Sequence, residues 1–329
     1  MTDFPESIFS DKFTFSEKTG HVFRFQFHNN RMYRDFVKTL GISESLELQP
    51  TDIPLLPIRA FRDHVVKSTE TTPSLCFKSS GTAGIPRSRH FVQDAQLYKT
   101  SAHITFNRYF PEERYSVLFL LPGYSENESS SLIYMAEYLI HSDPDQVSAF
   151  IRMNEIQKAI QSIKNIADRG KTPILFGAAF GLLDLIESES FTLPRTSHMI
   201  ETGGMKTYRR EITRSELRSV LSHGFDIPAK QIHSEYGMCE LLSQMYAISG
   251  EWFEAPPWVM VTVRDAENPF RICEPGEEGK IGIIDLANFY SCSFILTDDR
   301  GVMNDKGEFK VLGRWKGSEL RGCNFLVDS

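Results

Sequence analysis

The sequence has few cysteines, and they are not arranged as a disulfide framework or a zinc site would require. The five lie far apart, and no two of them have the CxxC spacing: Cys76, Cys239, Cys273, Cys292 and Cys323. An odd number of scattered thiols is typical of proteins from a reducing compartment. The sequence therefore predicts a cytoplasmic protein with free thiols.

The sequence also lacks long apolar runs and an excess of positive charge. No apolar run approaches the ~20 residues that span a bilayer. The acidic start Met1-Thr2-Asp3-Phe4-Pro5-Glu6 does not have the basic-then-apolar order of a signal peptide. The formal net charge is −7, whereas nucleic-acid polymers are bound by basic surfaces. We therefore expect no membrane insertion and no nucleic-acid polymer as partner, although a single nucleotide needs only a few local donors.

The sequence does contain an alternation of strand-like and helix-like segments. Its 329 residues are 41% hydrophobic and 24% charged, as in ordinary globular proteins. The apolar run 117–121 is typical of a strand buried on both faces. Residues 172–176 resemble another such strand, between helix-like segments at 154–170 and 178–188. This alternation predicts an α/β fold with a mostly parallel sheet flanked by helices.

The pattern changes after about residue 250. Short strand-like segments follow there, at 257–263, 280–286, 293–297 and 308–313. The residues Asn304-Asp305-Lys306-Gly307 are a hairpin signal between the last two. We predict an α/β body over 1–250 that includes a helical N-terminal segment, a smaller β-rich subdomain over 251–314, and a mobile tail over 315–329 that carries Cys323.

A glycine-rich segment follows a strand-like stretch at 75–77 and precedes a helix that we predict over 93–108. It reads Phe77-Lys78-Ser79-Ser80-Gly81-Thr82-Ala83-Gly84-Ile85-Pro86-Arg87. Glycines let backbone N–H groups converge on phosphate oxygens, and hydroxyls add further donors. The spacing is neither that of a Walker loop nor that of a dinucleotide fingerprint. From its composition alone, the segment suits either a phosphate-binding loop or a flexible surface loop.

Further segments contain residues that suit a nucleotide and a metal ion. They are Glu201-Thr202-Gly203-Gly204, Glu235-Tyr236-Gly237-Met238-Cys239-Glu240, Thr297-Asp298-Asp299-Arg300-Gly301 and Gly313-Arg314. The first lies at the carboxyl end of a predicted strand, where ligands of open α/β sheets bind. A tyrosine offers a flat face for a base, and a carboxylate is a ligand for a hard cation. The alternatives are an ordinary turn, a core aromatic residue and an exposed acidic turn.

In this order, the segments resemble the motifs of the adenylate-forming superfamily, which includes acyl-CoA synthetases, luciferases and nonribosomal adenylation domains. The resemblance spans residues 78–314 and implies ATP and Mg²⁺ as cofactors. It implies contacts to phosphate from Ser79, Ser80, Gly81, Thr82, Gly84 and Arg87, to adenine from Gly203, Gly204, Tyr236 and Gly237, to ribose from Asp299, and to the metal from Glu240. The sequence departs from the family pattern at Arg87, where a lysine is usual, at Cys239, where a threonine is usual, and at Asp298, which replaces a glycine.

The C-terminal residues carry a second, narrower resemblance. Superfamily members have a further domain with a catalytic lysine after the Gly-Arg pair, and we expect this chain to lack it because the sequence stops 15 residues after Arg314. The ending Arg321-Gly322-Cys323 instead resembles that of the acyl-protein synthetases of the LuxE family, as do Leu56-Pro57-Ile58 and Thr202-Gly203-Gly204-Met205-Lys206. That resemblance implies that Cys323 carries the acyl group as a thioester. The wider superfamily resemblance implies that Arg314 lies near ribose and phosphate and that Lys206 contacts phosphate, so we predict both as catalytic residues.

The implied function is ATP-dependent activation of a carboxylic acid, most simply a fatty acid, to acyl-AMP, followed by transfer to Cys323. The family resemblance implies an acyl-protein reductase as acceptor and an acyltransferase as supplier of the acid. An aryl acid is a further substrate class. Two alternatives remain: an acyl- or aryl-CoA ligase of the phenylacetate-ligase type, and a non-catalytic nucleotide-binding protein in which Cys323 is an inert thiol.

Overall fold

The structure, a computed structural model, describes residues 4–43, 48–80, 86–121, 129–188, 193–203 and 212–315. The described residues form two units. Unit 1 contains those of 4–101, 238–244 and 255–315, and unit 2 contains those of 102–237 and 245–254. The N-terminal segment is therefore in the same unit as the β-rich segment. The boundaries that we predicted at residues 250 and 314 stay a prediction.

The described helices and strands alternate along much of the chain. The helices are α1 (Phe4–Ser7), α2 (Phe15–Asn29), α3 (Arg31–Thr39), α4 (Ala60–Asp63), α5 (Ala95–Tyr109), α6 (Ser131–Ser142), α7 (Ile156–Asp168), α8 (Ala179–Ser188) and α9 (Arg214–Phe225). The strands are β1 (Leu56–Pro57), β2 (Leu75–Lys78), β3 (Arg89–Val92), β4 (Tyr115–Leu120), β5 (Ala149–Phe150), β6 (Thr172–Ala178), β7 (His198–Thr202), β8 (Ile232–Tyr236), β9 (Met245–Ala247), β10 (Val259–Arg264), β11 (Gly279–Asp285), β12 (Phe294–Met303) and β13 (Phe309–Arg314). No helix in the described part of the chain has the length and hydropathy that a membrane crossing requires.

Unit 2 is built on a six-stranded sheet with the strand order β5-β4-β6-β7-β8-β9. The strands β5, β4, β6, β7 and β8 pair in parallel, and β9 is antiparallel to β8. Every residue of β4 is buried, as expected for a strand covered on both faces. Apolar side chains of α7, α8 and α9 pack on the sheet, among them Ile163, Leu182 and Leu221. The predicted α/β fold with a mostly parallel sheet flanked by helices is confirmed.

Helix α9 shows how local sequence determines a helix boundary. The Thr213 side chain accepts a hydrogen bond from the Glu216 backbone N–H at 3.0 Å and caps the amino end of the helix. The helix continues through Gly224 and ends at Phe225. Gly224 is needed inside the helix because a Cβ there would lie 2.5 Å from Cδ1 of Ile186 on α8. This glycine therefore permits close helix packing.

Unit 1 contains the β-rich sheet, with the order β1-β12-β11-β10 and β13 paired to β12. The β12–β13 turn is closed by a hydrogen bond from Gly307 N–H to the Asn304 carbonyl at 3.0 Å, which confirms the predicted hairpin. Strand β1 was not predicted. It runs parallel to β12, with Leu56 opposite Ile295.

The glycine-rich segment joins two antiparallel strands, and the second of these, β3, lies between the segment and the predicted helix, which is α5. Strands β2 and β3 pair with Leu75 opposite Val92 and Lys78 opposite Arg89. Strand β3 has only four residues, and one of its two buried side chains is the polar His90. The pairing with β2 stabilises this strand, whereas its short polar pattern does not predict it.

Candidate active site

The described ends of the glycine-rich segment form the base of a hairpin in unit 1. The Ser79 N–H donates to the Ser88 carbonyl at 3.1 Å, and the Ser88 N–H donates to Ser79 Oγ at 3.0 Å. Lys78, Ser80 and Arg87 are exposed beside this base. Two cations and a hydroxyl at the described ends of a glycine-rich segment suit a polyphosphate. The predicted phosphate ligands Gly81, Thr82 and Gly84 lie outside the described residues.

The segment that carries Glu240 is held by buried side chains of unit 1. The Cys239 carbonyl accepts a hydrogen bond from His90 Nδ1 at 2.8 Å, and the Glu240 carbonyl accepts one from Asn288 Nδ2 at 2.8 Å. Burial lowers the pKa of His90 to about 4. Glu240 itself is 2% exposed. Its backbone is therefore fixed on both sides of its Cα atom.

Two residues further on, the same segment is bound by Asp285. The Asp285 carboxylate accepts from the Leu242 N–H at 2.8 Å and from Ser243 Oγ at 2.7 Å. Burial raises the pKa of Asp285 to about 6, while these hydrogen bonds act in the opposite direction. Trp258 Nε1 also donates to Ser243 Oγ at 2.9 Å. The backbone of this segment is thus well anchored within unit 1.

The chemistry of Glu240 is compatible with Mg²⁺. Within the described residues there is no group of three or more histidine, cysteine or acidic side chains that would form a complete metal cage. Protein-bound Mg²⁺ usually takes one or two carboxylates together with substrate phosphates. A single carboxylate such as Glu240 fits that pattern, and its role as metal ligand stays a prediction.

The structure brings together Asp299 and Arg314, two predicted site residues. They face each other across the β12–β13 pair, with Arg314 Nε 3.1 Å from Asp299 Oδ1. Asp299 is 2% exposed, and its N–H donates to Thr297 Oγ1 at 3.1 Å. The neighbouring Asp298 makes a different contact, to Arg59 Nε at 3.0 Å. The ion pair orients the carboxylate of Asp299, the residue that we predict to bind ribose.

Three further predicted residues, Gly203, Tyr236 and Gly237, belong to unit 2 and lie at the carboxyl ends of β7 and β8. Gly203 follows β7 with a φ of 73°, a conformation that glycine adopts readily. Tyr236 ends β8, is 1% exposed, and has its ring centroid 5.8 Å from that of Phe253. Stacking on adenine would require an uncovered face of the Tyr236 ring, so this assignment and that of the adjacent Gly237 stay predictions. Gly204, Lys206 and Cys323 lie outside the described residues.

Two buried acids beside these glycines had no role in our sequence interpretation. Glu235 accepts a hydrogen bond from the Thr202 hydroxyl, and burial raises its pKa to about 7, with nearby Glu201 adding to the rise. Glu201 pairs with Arg214 Nη1 at 3.2 Å. The Arg214 guanidinium also lies 5.0 Å from the Phe253 ring. The sequence carried no clear signal of their burial, because polar residues such as Thr202 and Ser234 stand beside these glutamates and a glutamate is rarely buried.

Comparison with known proteins gives the family. The model of the LuxE acyl-protein synthetases matches residues 127–329, which is more than half of the chain. The chain belongs to the LuxE family of acyl-protein synthetases. The match covers the motifs from Gly203 to Arg314 and also Cys323, so the family resemblance read from the sequence is confirmed.

Two curated relatives of this LuxE-family chain carry the name long-chain-fatty-acid–luciferin-component ligase. The protein from Vibrio harveyi is 22% identical over 321 residues, covering 92% of this chain and 84% of the relative. The protein from Aliivibrio fischeri is 21% identical over 299 residues, covering 86% of this chain and 78% of the relative. The similarity therefore extends over nearly the whole chain.

Solved structures of adenylate-forming enzymes have the same fold. A 2-hydroxyisobutyryl-CoA ligase in complex with 2-HIB-AMP and CoA superposes with a TM-score of 0.68 at 12% identity, over 94% of this chain and 69% of the ligase. ATP-bound MatB from Rhodopseudomonas palustris superposes with a TM-score of 0.54 at 17% identity, over 75% of this chain and 50% of MatB. At these identities the likeness shows the fold alone, and it confirms the predicted adenylate-forming architecture.

Proposed function

We propose that this LuxE-family chain activates a carboxylic acid with ATP and transfers the acyl group to its own Cys323. The observation that carries the proposal is the family match, which covers both the nucleotide motifs after Gly203 and the C-terminal Cys323. The names of the two curated relatives support a long-chain fatty acid as substrate. The ATP and acyl-AMP complexes of the structural relatives support the nucleotide.

In the first half-reaction, a carboxylate oxygen of the acid attacks the α-phosphorus of ATP. The bond from that phosphorus to the bridging oxygen breaks, and pyrophosphate leaves. Lys78, Ser80 and Arg87 supply donors for the phosphates at the base of the hairpin. The Arg314–Asp299 ion pair would hold the Asp299 carboxylate ready for the ribose hydroxyls. Glu240 would hold Mg²⁺, which neutralises phosphate charge when bound.

In the second half-reaction, the Cys323 thiolate attacks the carbonyl carbon of the acyl-adenylate. The bond from that carbon to the phosphate oxygen breaks, AMP leaves, and the thiol proton passes to solvent. Only a thiolate is an effective nucleophile, and burial raises the pKa of a thiol. Burial raises the pKa values of Cys76 and Cys273, and that of Cys292 to about 12. These thiols are therefore poor competitors for the acyl group.

The substitution Cys323→Ser tests the transfer step. We expect the variant to keep ATP–pyrophosphate exchange but to acquire no hydroxylamine-sensitive acyl group when incubated with ATP, Mg²⁺ and a labelled fatty acid. Intact-mass spectrometry measures the adduct. Cys76→Ser is the matched control, since it also removes a single thiol, and it should acquire one acyl group as the wild type does.

The same incubation separates this proposal from its alternatives. Continued acylation of Cys323→Ser would refute the assignment of the acceptor. An acyl-CoA product with an unmodified Cys323 would instead support a CoA ligase. Absence of both pyrophosphate exchange and adduct, with a panel of aliphatic and aryl acids, would support a non-catalytic nucleotide-binding protein.

The partners are those that the resemblance to the LuxE family implies. We propose that an acyltransferase supplies the fatty acid and that an acyl-protein reductase consumes the thioester. The scattered free thiols support a cytoplasmic location for this sequence of reactions.

A further inference from the structure

His90, the buried histidine of β3, makes a hydrogen bond that is not needed to fill the space that its side chain occupies. His90 has no exposed surface and lies between two aromatic rings, with centroids 5.6 Å from Phe61 and 6.4 Å from Phe77. Its Nδ1 atom is 2.8 Å from the Cys239 carbonyl oxygen. Because a carbonyl oxygen can only accept, Nδ1 carries the hydrogen atom. A leucine would fill this apolar space without burying a polar ring, so the donor is the feature that distinguishes histidine here.

A second buried donor acts on the next peptide unit. Asn288 has no exposed surface, and its Nδ2 donates to the Glu240 carbonyl at 2.8 Å. The Asn288 backbone carbonyl in turn accepts from Gln26 Nε2 at 3.0 Å, which holds this residue in place. The two donors therefore hold successive carbonyls of one short segment from two different elements of unit 1.

These two contacts determine the direction of the Glu240 side chain. The Cys239 carbonyl belongs to the peptide plane that precedes the Glu240 Cα atom, and the Glu240 carbonyl belongs to the plane that follows it. A residue has only two soft backbone dihedrals, so fixing both planes fixes the direction of its Cα–Cβ bond. The side chain of Glu240 starts from that bond.

His90 also belongs to the hairpin that carries the phosphate segment. It lies two residues after Ser88, whose N–H and carbonyl form the hydrogen bonds with Ser79 at the base of that hairpin. The antiparallel pair Phe77–His90 continues the same ladder. A single strand thus holds the base of the phosphate segment and one carbonyl of the Cys239–Glu240 pair.

We propose that His90 and Asn288 are positioning residues that hold the backbone from which the Glu240 side chain projects, and so position its carboxylate for metal-dependent adenylation. The inference rests on the proposed function, in which Glu240 binds Mg²⁺ together with ATP. Neither residue touches the reacting atoms. Both act through the backbone of the segment that carries Glu240.

The test compares His90→Leu with His90→Asn and with a control. We expect His90→Leu to raise the Mg²⁺ concentration for half-maximal ATP–pyrophosphate exchange by roughly 10- to 100-fold, as loss of partners behind a metal ligand does. Backbone amides of residues 238–244 should also exchange hydrogen faster, whether or not ATP is present. His90→Asn keeps a donor near the position of Nδ1 and should restore much of the Mg²⁺ dependence.

Tyr33→Phe is the matched control, because it removes a buried donor to another carbonyl of unit 1, that of Pro54 at 2.9 Å. It should lower stability without changing the Mg²⁺ dependence. If His90→Leu does not fold, Asn288→Ala removes the second donor, and we expect the same shift in Mg²⁺ dependence from it.

The outcomes separate the two proposals. A folded His90→Leu variant with wild-type Mg²⁺ dependence and wild-type hydrogen exchange over 238–244 would overturn the positioning role alone, as would an equal shift in Tyr33→Phe. A wild-type chain without pyrophosphate exchange would overturn the proposed function and the metal-positioning role with it.

Discussion

At the scale of single residues, burial determines the charge state of Glu235. It raises the pKa to about 7, and Glu201 adds to the rise, while the hydrogen bond from Thr202 lowers the pKa. In the unfolded chain, this carboxyl titrates near its ordinary value of 4.5. Between about pH 4.5 and pH 7 the folded state therefore keeps a proton that the unfolded state has lost. The contribution of Glu235 to the free energy of unfolding falls as pH rises through this window and is constant above it.

The substitution Glu235→Gln should remove this pH-dependent loss. Glutamine is neutral, has nearly the same shape, and can accept the Thr202 hydrogen bond. We expect the variant to gain up to about 3 kcal/mol in free energy of unfolding over the wild type at pH 8, at about 1.4 kcal/mol for each pKa unit. The gain should shrink towards zero near pH 4.5. Urea unfolding at several pH values measures it.

Glu267 is exposed, and the substitution Glu267→Gln is the control for the loss of one negative charge. A difference between Glu235→Gln and the wild type that stays constant from pH 4.5 to pH 8 would contradict the assignment of the titration to Glu235. So would an equal pH-dependent gain in the control.

At the scale of elements, the sequence predicts those strands whose burial on both faces produces a run of apolar residues. Strand β4 is apolar from Val117 to Leu120 because both of its faces are covered, and its position was predicted. Strands β1 and β3 were not predicted. The two residues of β1 pair with Ile295 and Leu296, more than two hundred positions away. Such strands form because they pair with residues that are distant along the chain. The local pattern of apolar and polar residues does not identify those pairing residues.

The candidate site, too, could be predicted only where its residues form a local sequence motif. Motif order pointed to Gly203, Tyr236, Glu240, Asp299 and Arg314, because those residues stand in recognisable local strings. The supporting contacts of His90, Asn288 and Asp285 were not predictable. They join positions that are distant along the chain, and they act on backbone atoms, which every residue type presents alike.

The amino ends of β7 and β8 are joined by a pair of neutral histidines. The Ser249 N–H donates to His233 Nδ1 at 3.0 Å, so Nδ1 carries no hydrogen. The hydrogen of His233 is then on Nε2, which donates to His198 Nδ1 at 2.8 Å. Burial lowers the pKa of His233 to about 3, with His198 and Arg218 lowering it further. The contribution of His233 to stability is therefore lost as pH falls from about 6.5 towards 3.

We predict that His198→Phe destabilises the protein at pH 7. Phenylalanine fills the space but leaves the buried His233 Nε2–H without its acceptor. Such a loss costs roughly 1–3 kcal/mol. Chemical unfolding measures the change, and the exposed His141→Phe on α6 is the control. An equal effect of the two substitutions would show that the histidine pair contributes no stability of its own.

At the scale of the whole molecule, the N-terminal helices and the β-rich segment form one unit. Gln26 Nε2 donates to the carbonyls of Asn288 and Phe289 at 3.0 and 2.9 Å, and its Oε1 accepts from the Ser293 N–H at 3.0 Å. The rings of Phe25 and Phe289 stack with centroids 4.1 Å apart. One glutamine thus satisfies several backbone groups of a buried turn that lies more than 260 positions further along the chain.

This arrangement predicts that Gln26→Ala destabilises unit 1 and that a chain starting at residue 41 cannot form it. Each buried polar group left without a partner costs roughly 1–3 kcal/mol, and Gln26→Ala leaves several. Urea unfolding measures the point variant, with the exposed Gln161→Ala on α7 as control. Limited proteolysis with mass spectrometry should show early cleavage within 255–315 in the shortened chain. A fragment of residues 251–314 that folds by itself would contradict this dependence and would support the β-rich subdomain that we predicted from the sequence.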